Sequence, residues 1–320
     1  MTSAPLAQRL DGLLFFPVTA YGPDGALDTE VFRAHVRRGI DAGAAAVFAC
    51  CGTGEFHALT LEEFRVCVSA AVAEAAGRVP VIAGAGYGTA LAVQYARAAR
   101  EAGADGLLAM PPYLVVPDQA GLCAHYTALA DAAGLDVIVY QRDNAVLAPE
   151  TVARLARHPR IVGLKDGVGD LDLMQRIVSA VRTAEPDGEF LYFNGLPTAE
   201  LTVPAYRGIG VTLYSSAAFC FVPEIAMAFH RALADGDDAT VHRLLDGFYR
   251  PLVELRNKGR GYAVSLVKAG VRARGLEVGG VRPPLSEPAA EHLGELEALV
   301  ERGYALLAET AGARKAGSAV

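Results

Sequence analysis

The chain has 320 residues, a formal net charge of −7 and a pI near 5.5, and 52% of it is hydrophobic. That acidic balance argues against a nucleic-acid surface, no apolar run approaches the ~18 residues of a membrane span, and the opening MTSAPLAQRLDG lacks the apolar core of a signal peptide. The five cysteines, Cys50, Cys51, Cys67, Cys123 and Cys220, are scattered with no CxxC or zinc spacing, so a reduced cytoplasmic protein is expected, with no membrane or nucleic-acid partner.

Strand and helix signals alternate along the chain. GLLFFPVT (12–19) reads as a strand stopped by Pro17, and TEVFRAHVRRGIDAG (29–43) as a helix with apolar residues at helical spacing. AAAVFACC (44–51) is the second strand. The helix LEEFRVCVSAAVAEAAG (61–77) follows it, with Thr60 as N-cap. Strand VPVIAGAG (79–86), helix TALAVQYARAAREAG (89–103) and strand GLLAM (106–110), closed by two prolines, continue the series. Then come helix 118–134, strand DVIVYQR (136–142), helix PETVARLAR (149–157) with proline in its first turn, and strand IVGLKDG (161–167). Helix 170–182, strand FLYFN (190–194), a helix near 197–206 and strand GIGVTLYSS (208–216) complete it.

The strands are continuous apolar runs, the pattern of a parallel sheet covered on both faces. Eight βα units over roughly 240 residues imply a (β/α)₈ TIM barrel. A doubly wound sheet is disfavoured because GAGYG (84–88) lacks the third glycine of a dinucleotide fingerprint. The expected division is a barrel over 1–236, a C-terminal helical extension over 237–308, and a disordered tail over 309–320.

Barrel chemistry sits at the C-terminal strand ends. There the chain places Thr19, Gly52, Thr53, Gly54, Tyr140, Lys165, Gly195, Ser215 and Ser216. Lysine at the tip of an apolar strand is uncommon, because desolvating an ammonium is costly. Burial favours the neutral amine, the form that attacks carbonyls. No His/Asp/Glu group has metal-ligand spacing and there is no G-x-S-x-G elbow. One amine, a phenol, hydroxyls and a glycine-rich loop suit carbonyl chemistry through an imine on Lys165, with Tyr140 moving protons. For both residues a purely structural role stays open at this level: Lys165 pairing with Asp166, and Tyr140 packed in the core.

FPVT (16–19), GTGEFHALT (52–60), VIVYQRDNAVL (137–147), VGLKDGVGD (162–170), GLPTAE (195–200), YSSAAF (214–219) and GYAVSLVKAG (261–270) carry a resemblance over nearly the whole chain. The sequence resembles the dihydrodipicolinate synthase and N-acetylneuraminate lyase superfamily of lysine-dependent barrels, and within it the 5-dehydro-4-deoxyglucarate dehydratase branch. The resemblance implies that Lys165 forms the Schiff base, Tyr140 transfers protons, and Thr53 and Gly54 hold the carboxylate beside the ketone. It also implies a small-molecule 2-keto acid substrate, no diffusible cofactor and no metal. A homotetramer is implied too, with Tyr113 at a subunit contact. Other 2-keto acid aldolases of the superfamily and a non-catalytic keto-acid-binding barrel are the alternatives.

The chain departs from the superfamily at three places. Gly52 stands where the superfamily pattern G-T-T-G-E has its first threonine, Ala145 where the synthases carry an arginine, and His57 lies in FHAL where the dehydratases have FFSL. A decarboxylating enzyme gains nothing by an ion pair that stabilises the departing carboxylate only in the ground state. The distal end of the substrate is therefore expected to be held by neutral groups, Ser216 and Asn144, with Arg142 turned away.

Overall fold

The apolar runs form strands that are largely buried on both faces. The computed structural model describes residues 5–317, with side chains through Glu309. A short helical turn, α1 (Leu6–Arg9), precedes eight parallel strands: β1 (Leu14–Phe15), β2 (Ala46–Ala49), β3 (Val81–Ala85), β4 (Gly106–Ala109), β5 (Asp136–Gln141), β6 (Ile161–Asp166), β7 (Leu191–Asn194) and β8 (Leu213–Ser216). They pair in chain order and close, with Leu14 opposite Ser215 across the β1–β8 seam. The TIM barrel expected from the sequence is the observed fold.

Successive side chains on a strand face opposite sides, so one apolar run feeds two cores. Leu14, Phe48, Ile82, Leu108, Ile138 and Phe193 fill the barrel interior. Val47, Val81, Val137, Val139 and Leu164 pack outward against the helices. Those helices begin where the sequence marks them. α2 (Thr29–Asp41) is capped by Asp28, and α3 (Leu61–Ala75) by a reciprocal Thr60–Glu63 capping box. α4 (Thr89–Glu101), α5 (Gln119–Ala133), α6 (Pro149–Ala156) and α7 (Leu171–Ala184) follow.

The eighth unit differs from expectation. A short turn at Ala199–Leu201 leads to α8 (Val203–Gly208), and β8 begins only at Leu213. Gly210 has φ +86°, a conformation that follows the helix end, so Gly208 closes α8 and Ile209–Gly210 are turn, with no strand in the GIG segment. After α9 (Pro223–Asp235), the helices α10 (Asp238–Leu244) and α11 (Arg250–Arg256) are joined by a π turn over Leu245–Tyr249. Pro251 has no N–H to return to the preceding turn, and the helix widens just before it. α12 (Tyr262–Ala273) and α13 (Ala290–Gly317) complete the chain. α13 continues through most of the segment expected to be a disordered tail; its Ala, Arg and Lys are good helix formers. The final expected tail residues, 318–320, lie outside the described residues. No helix among the described residues is long and apolar enough to cross a membrane.

Candidate active site

β5 and β6 pair so that Tyr140 lies opposite Lys165, one register step before Gln141 meets Asp166. Alternation turns the first pair into the barrel and the second outward. Asp166 therefore does not neutralise Lys165. Its carboxylate accepts from Gln141 Nε2 at 2.8 Å, from the Val168 amide at 3.0 Å and from the Tyr206 hydroxyl. This removes the ion-pair role that Lys165 could otherwise have had.

Lys165 is 5% exposed and its Nζ lies 3.8 Å from the Tyr140 ring centroid and 5.3 Å from that of Phe16. Nζ and the Tyr140 hydroxyl both donate to the Gly195 carbonyl, each at 3.3 Å. Glycine is required there, because a Cβ at 195 would sit 2.6 Å from Lys165 Nζ. Lys258 pairs with Glu295 at the surface, and Lys268 with Glu55 at 2.8 Å in the interior. Among the lysines whose side chains are described, Lys165 alone has no carboxylate partner, which leaves its amine available for covalent work.

Tyr140 is buried, and burial pushes its phenol up; the charges of Lys165 and Arg142 and hydrogen bonds from both outweigh this, leaving it below its ordinary value. A phenol of that kind exchanges protons more readily near neutral pH. Thiols do not compete as nucleophiles: burial holds Cys51 at about 12.

These groups open into a cavity of about 360 Å³ whose wall includes Gly52, Thr53, Tyr140, Lys165, Gly195 and Ser215. The Thr53 and Gly54 amides make no backbone hydrogen bond among the described residues, and Thr53, in the cavity wall, offers an amide beside a hydroxyl, a pairing that suits a carboxylate. Gly54 itself is buried behind the wall, its carbonyl accepting from Thr19 Oγ1 at 2.6 Å.

Ser216 and Asn144 are not in the cavity wall. Ser216 Oγ donates to buried Glu200 at 2.5 Å, and Asn144 Nδ2 donates to the Pro112 carbonyl at 2.9 Å and to that of Val115. Strand alternation sends Ser216 outward and Ser215 inward, and the tight turn pairing Arg142 with Ala145 sends Asn144 toward the 110–116 loop. Arg142 does reach the wall, next to Tyr140, with Nε on Asp143 at 3.0 Å. Tyr113 lies outside the cavity wall and is 65% exposed.

Thr198, Arg256 and Tyr262 also line the cavity, although none stands at the end of a strand. Arg256 and Tyr262 come from α11 and α12, so the C-terminal helices complete the site. Thr198 is a β-branched residue at φ +59°. Of the seven non-glycine residues with positive φ among the described residues, Cys50, Glu55, Tyr87, Leu114, Asp143 and Thr198 lie in loops that follow strands. Strain of this kind persists where surrounding structure over-determines it, commonly at functional sites.

A family model described as the Dihydrodipicolinate synthetase family matches residues 9–302. The chain belongs to this family. It is 76% identical over 316 residues to a Streptomyces griseus protein named "Probable 5-dehydro-4-deoxyglucarate dehydratase", covering 98% of this chain and 99% of that one. A similarly named Streptomyces coelicolor protein is 73% identical over 315 residues, 98% of this chain and 100% of its own length. Among solved structures, dihydrodipicolinate synthase from Bacillus clausii superposes with a TM-score of 0.85 at 27% identity, covering 93% of this chain and 99% of that one.

Within the family, the departures noted above have structural counterparts. A Cβ at Gly52 would meet nothing within 4 Å, so space for the usual threonine exists but no hydroxyl fills it. Arg142 is the polar neighbour of Tyr140 instead. Ala145 is fully buried, so position 145 presents nothing to the cavity.

Proposed function

We propose that the protein is a decarboxylating dehydratase that converts 5-dehydro-4-deoxy-D-glucarate to 2,5-dioxopentanoate, water and CO₂ through a Schiff base on Lys165. The observation that carries this reading is the unpaired, buried Lys165 amine set against the Tyr140 ring at the floor of the cavity. The two Streptomyces relatives supply the substrate.

The substrate has a keto carboxylate at one end, a methylene beside the ketone, hydroxyls on the next two carbons, and a second carboxylate. Thr53 and the loop amides hold the keto carboxylate. The Lys165 nitrogen attacks the ketone carbon, and loss of water leaves an iminium, which acidifies the methylene. Tyr140, whose proton affinity is lowered by Lys165 and Arg142, gives its phenol proton to the departing carbinolamine hydroxyl and, as the phenolate, receives the methylene proton. The resulting enamine expels the neighbouring hydroxyl, which leaves as water after taking a proton. The conjugated iminium now accepts the electron pair of the bond to the distal carboxylate, and CO₂ departs. Protonation, tautomerisation of the enol to an aldehyde, and hydrolysis release product and free Lys165. The amine is the electron sink throughout, so the scheme calls on no metal or diffusible cofactor.

The same reading includes a homotetramer. Tyr113, Leu114, Val115 and Val116 form an exposed apolar loop beside the barrel mouth, the kind of surface that a neighbouring subunit covers.

The test combines turnover and trapping. Purified protein should release CO₂ and an aldehyde from 5-dehydro-4-deoxyglucarate, and borohydride with substrate should add mass to the Lys165 peptide. Lys165→Ala should fold and lose both. An adduct on Lys258 or Lys268 would refute the assignment, and cleavage of a carbon–carbon bond without loss of water would favour an aldolase.

A further inference from the structure

We infer that Arg256 is the specificity-determining residue for the distal carboxylate, so that this cavity selects 2-keto diacids over 2-keto monoacids. The inference rests on the proposed keto-acid site but not on the dehydration step.

Arg256 is half-buried at the end of α11 and lines the same cavity as Lys165. Burial lowers its proton affinity, which marks a charge held partly out of water. A guanidinium so placed normally has an acidic partner. Arg256 has no carboxylate within ion-pairing distance among the described residues, unlike Arg282, which pairs with Glu63 at 2.5 Å, and Arg272, which pairs with Glu287 at 2.5 Å. What holds Arg256 is neutral. Nη1 donates to the Pro197 carbonyl at 2.5 Å and to Thr198 Oγ1 at 2.9 Å. Nε and Nη2 make only long contacts, 3.4 and 3.3 Å, to the side-chain oxygen of exposed Asn257. The Nε–Nη2 edge is the fork that grips a carboxylate in a bidentate pair. A carboxylate there forms shorter, stronger bonds than a neutral amide oxygen does.

The spacing fits. Gly195 receives Lys165 and Tyr140, and Thr198 receives Arg256. These anchors are three positions apart in the chain, so they are at most about 11 Å apart along the backbone. A six-carbon diacid with hydrogen bonds at each end can bridge that length. Strained Thr198, with its hydroxyl accepting from Arg256, keeps its own proton to donate to a substrate hydroxyl. The sequence-based expectation of a neutral distal end, held by Ser216 and Asn144, is thereby replaced. An arginine at this end improves binding in the ground state and does not assist loss of CO₂. Its effect therefore falls on KM more than on kcat.

Borohydride trapping on the full chain tests this with two probes, pyruvate and the six-carbon diacid 2-oxoadipate. Wild type should be trapped at lower 2-oxoadipate than pyruvate concentration. Arg256→Met should raise the 2-oxoadipate concentration for half-trapping about 10- to 100-fold, the range for a lost hydrogen bond to a charged group, and leave that for pyruvate unchanged. Arg256→Lys should recover part of the loss. With 5-dehydro-4-deoxyglucarate, KM should rise by a similar factor with a smaller change in kcat. Parallel loss with both probes would mean that Arg256 only supports the Pro197–Thr198 loop, and equal trapping of 2-oxoadipate by wild type and Arg256→Met would likewise overturn the inference. Wild type that prefers the diacid through Arg256 yet never dehydrates the sugar acid would uphold this inference while refuting the proposed function.

Discussion

Replacing Lys268 with methionine isolates the contact that ties the C-terminal helices to the loop carrying Thr53 and Gly54. Lys268 on α12 is fully buried; its Nζ donates to Glu55 at 2.8 Å and to the Gly280 carbonyl at 2.5 Å, and lies 4.2 Å from the Tyr21 ring. Glu55 is equally buried, sits at φ +55°, and follows the Thr53–Gly54 amides directly. Lys268→Met leaves that carboxylate inside the protein with one remaining donor, the Arg282 amide at 2.9 Å. Breaking a buried pair by removing one partner costs about 3–5 kcal/mol. The surviving Arg282 bond places the expected loss near the lower end, about 3 kcal/mol of unfolding free energy in urea. Adding Glu55→Gln to Lys268→Met should restore most of that stability, since removing both charges is often nearly neutral. The single variant should also raise KM, because the loop carrying Thr53 and Gly54 loses its anchor, while borohydride adducts still form on Lys165. A loss below about 1 kcal/mol with unchanged KM would refute the reasoning, by showing that the pair neither stabilises the fold nor holds the loop.

Tyr140→Phe should still form the imine but turn over about 10²–10⁴-fold more slowly, as for a lost proton-transfer group; normal turnover would assign the proton to another residue. Burial pushes the Glu200 carboxyl from 4.5 up to about 7. Its protonated form is therefore favoured in the folded state, and the associated stability is complete below pH 4.5 and lost as pH rises through about 7. The span corresponds to roughly 3 kcal/mol, so Glu200→Gln should flatten the unfolding free energy between pH 5 and 8 relative to wild type; an identical pH profile would contradict the burial argument. Tyr113→Asp should dissociate the assembly measured by light scattering at micromolar concentration, and a monomeric wild type would refute the oligomer.

The barrel was legible from local order alone. Strand and helix signals depend on neighbours a few residues apart, and eight repeats of one unit leave little choice of topology. Lys165 was legible for the same reason, since a polar residue at the tip of IVGL conflicts with its surroundings. Which way a strand-end side chain points was not. Ser215 and Ser216 are equivalent in sequence, but one step of register sends the first to the cavity and the second to Glu200. The pairing of Gln141 with Asp166, which frees Lys165 of an acidic partner, follows from register between strands 25 residues apart. Arg256 and Lys268 were beyond local reading altogether. They are distant in sequence from the loops they meet, Lys268 by 213 residues from Glu55. Only packing of the C-terminal helices across the barrel mouth decides that one cation is neutralised by Glu55 while the other is left without an acidic partner in the cavity.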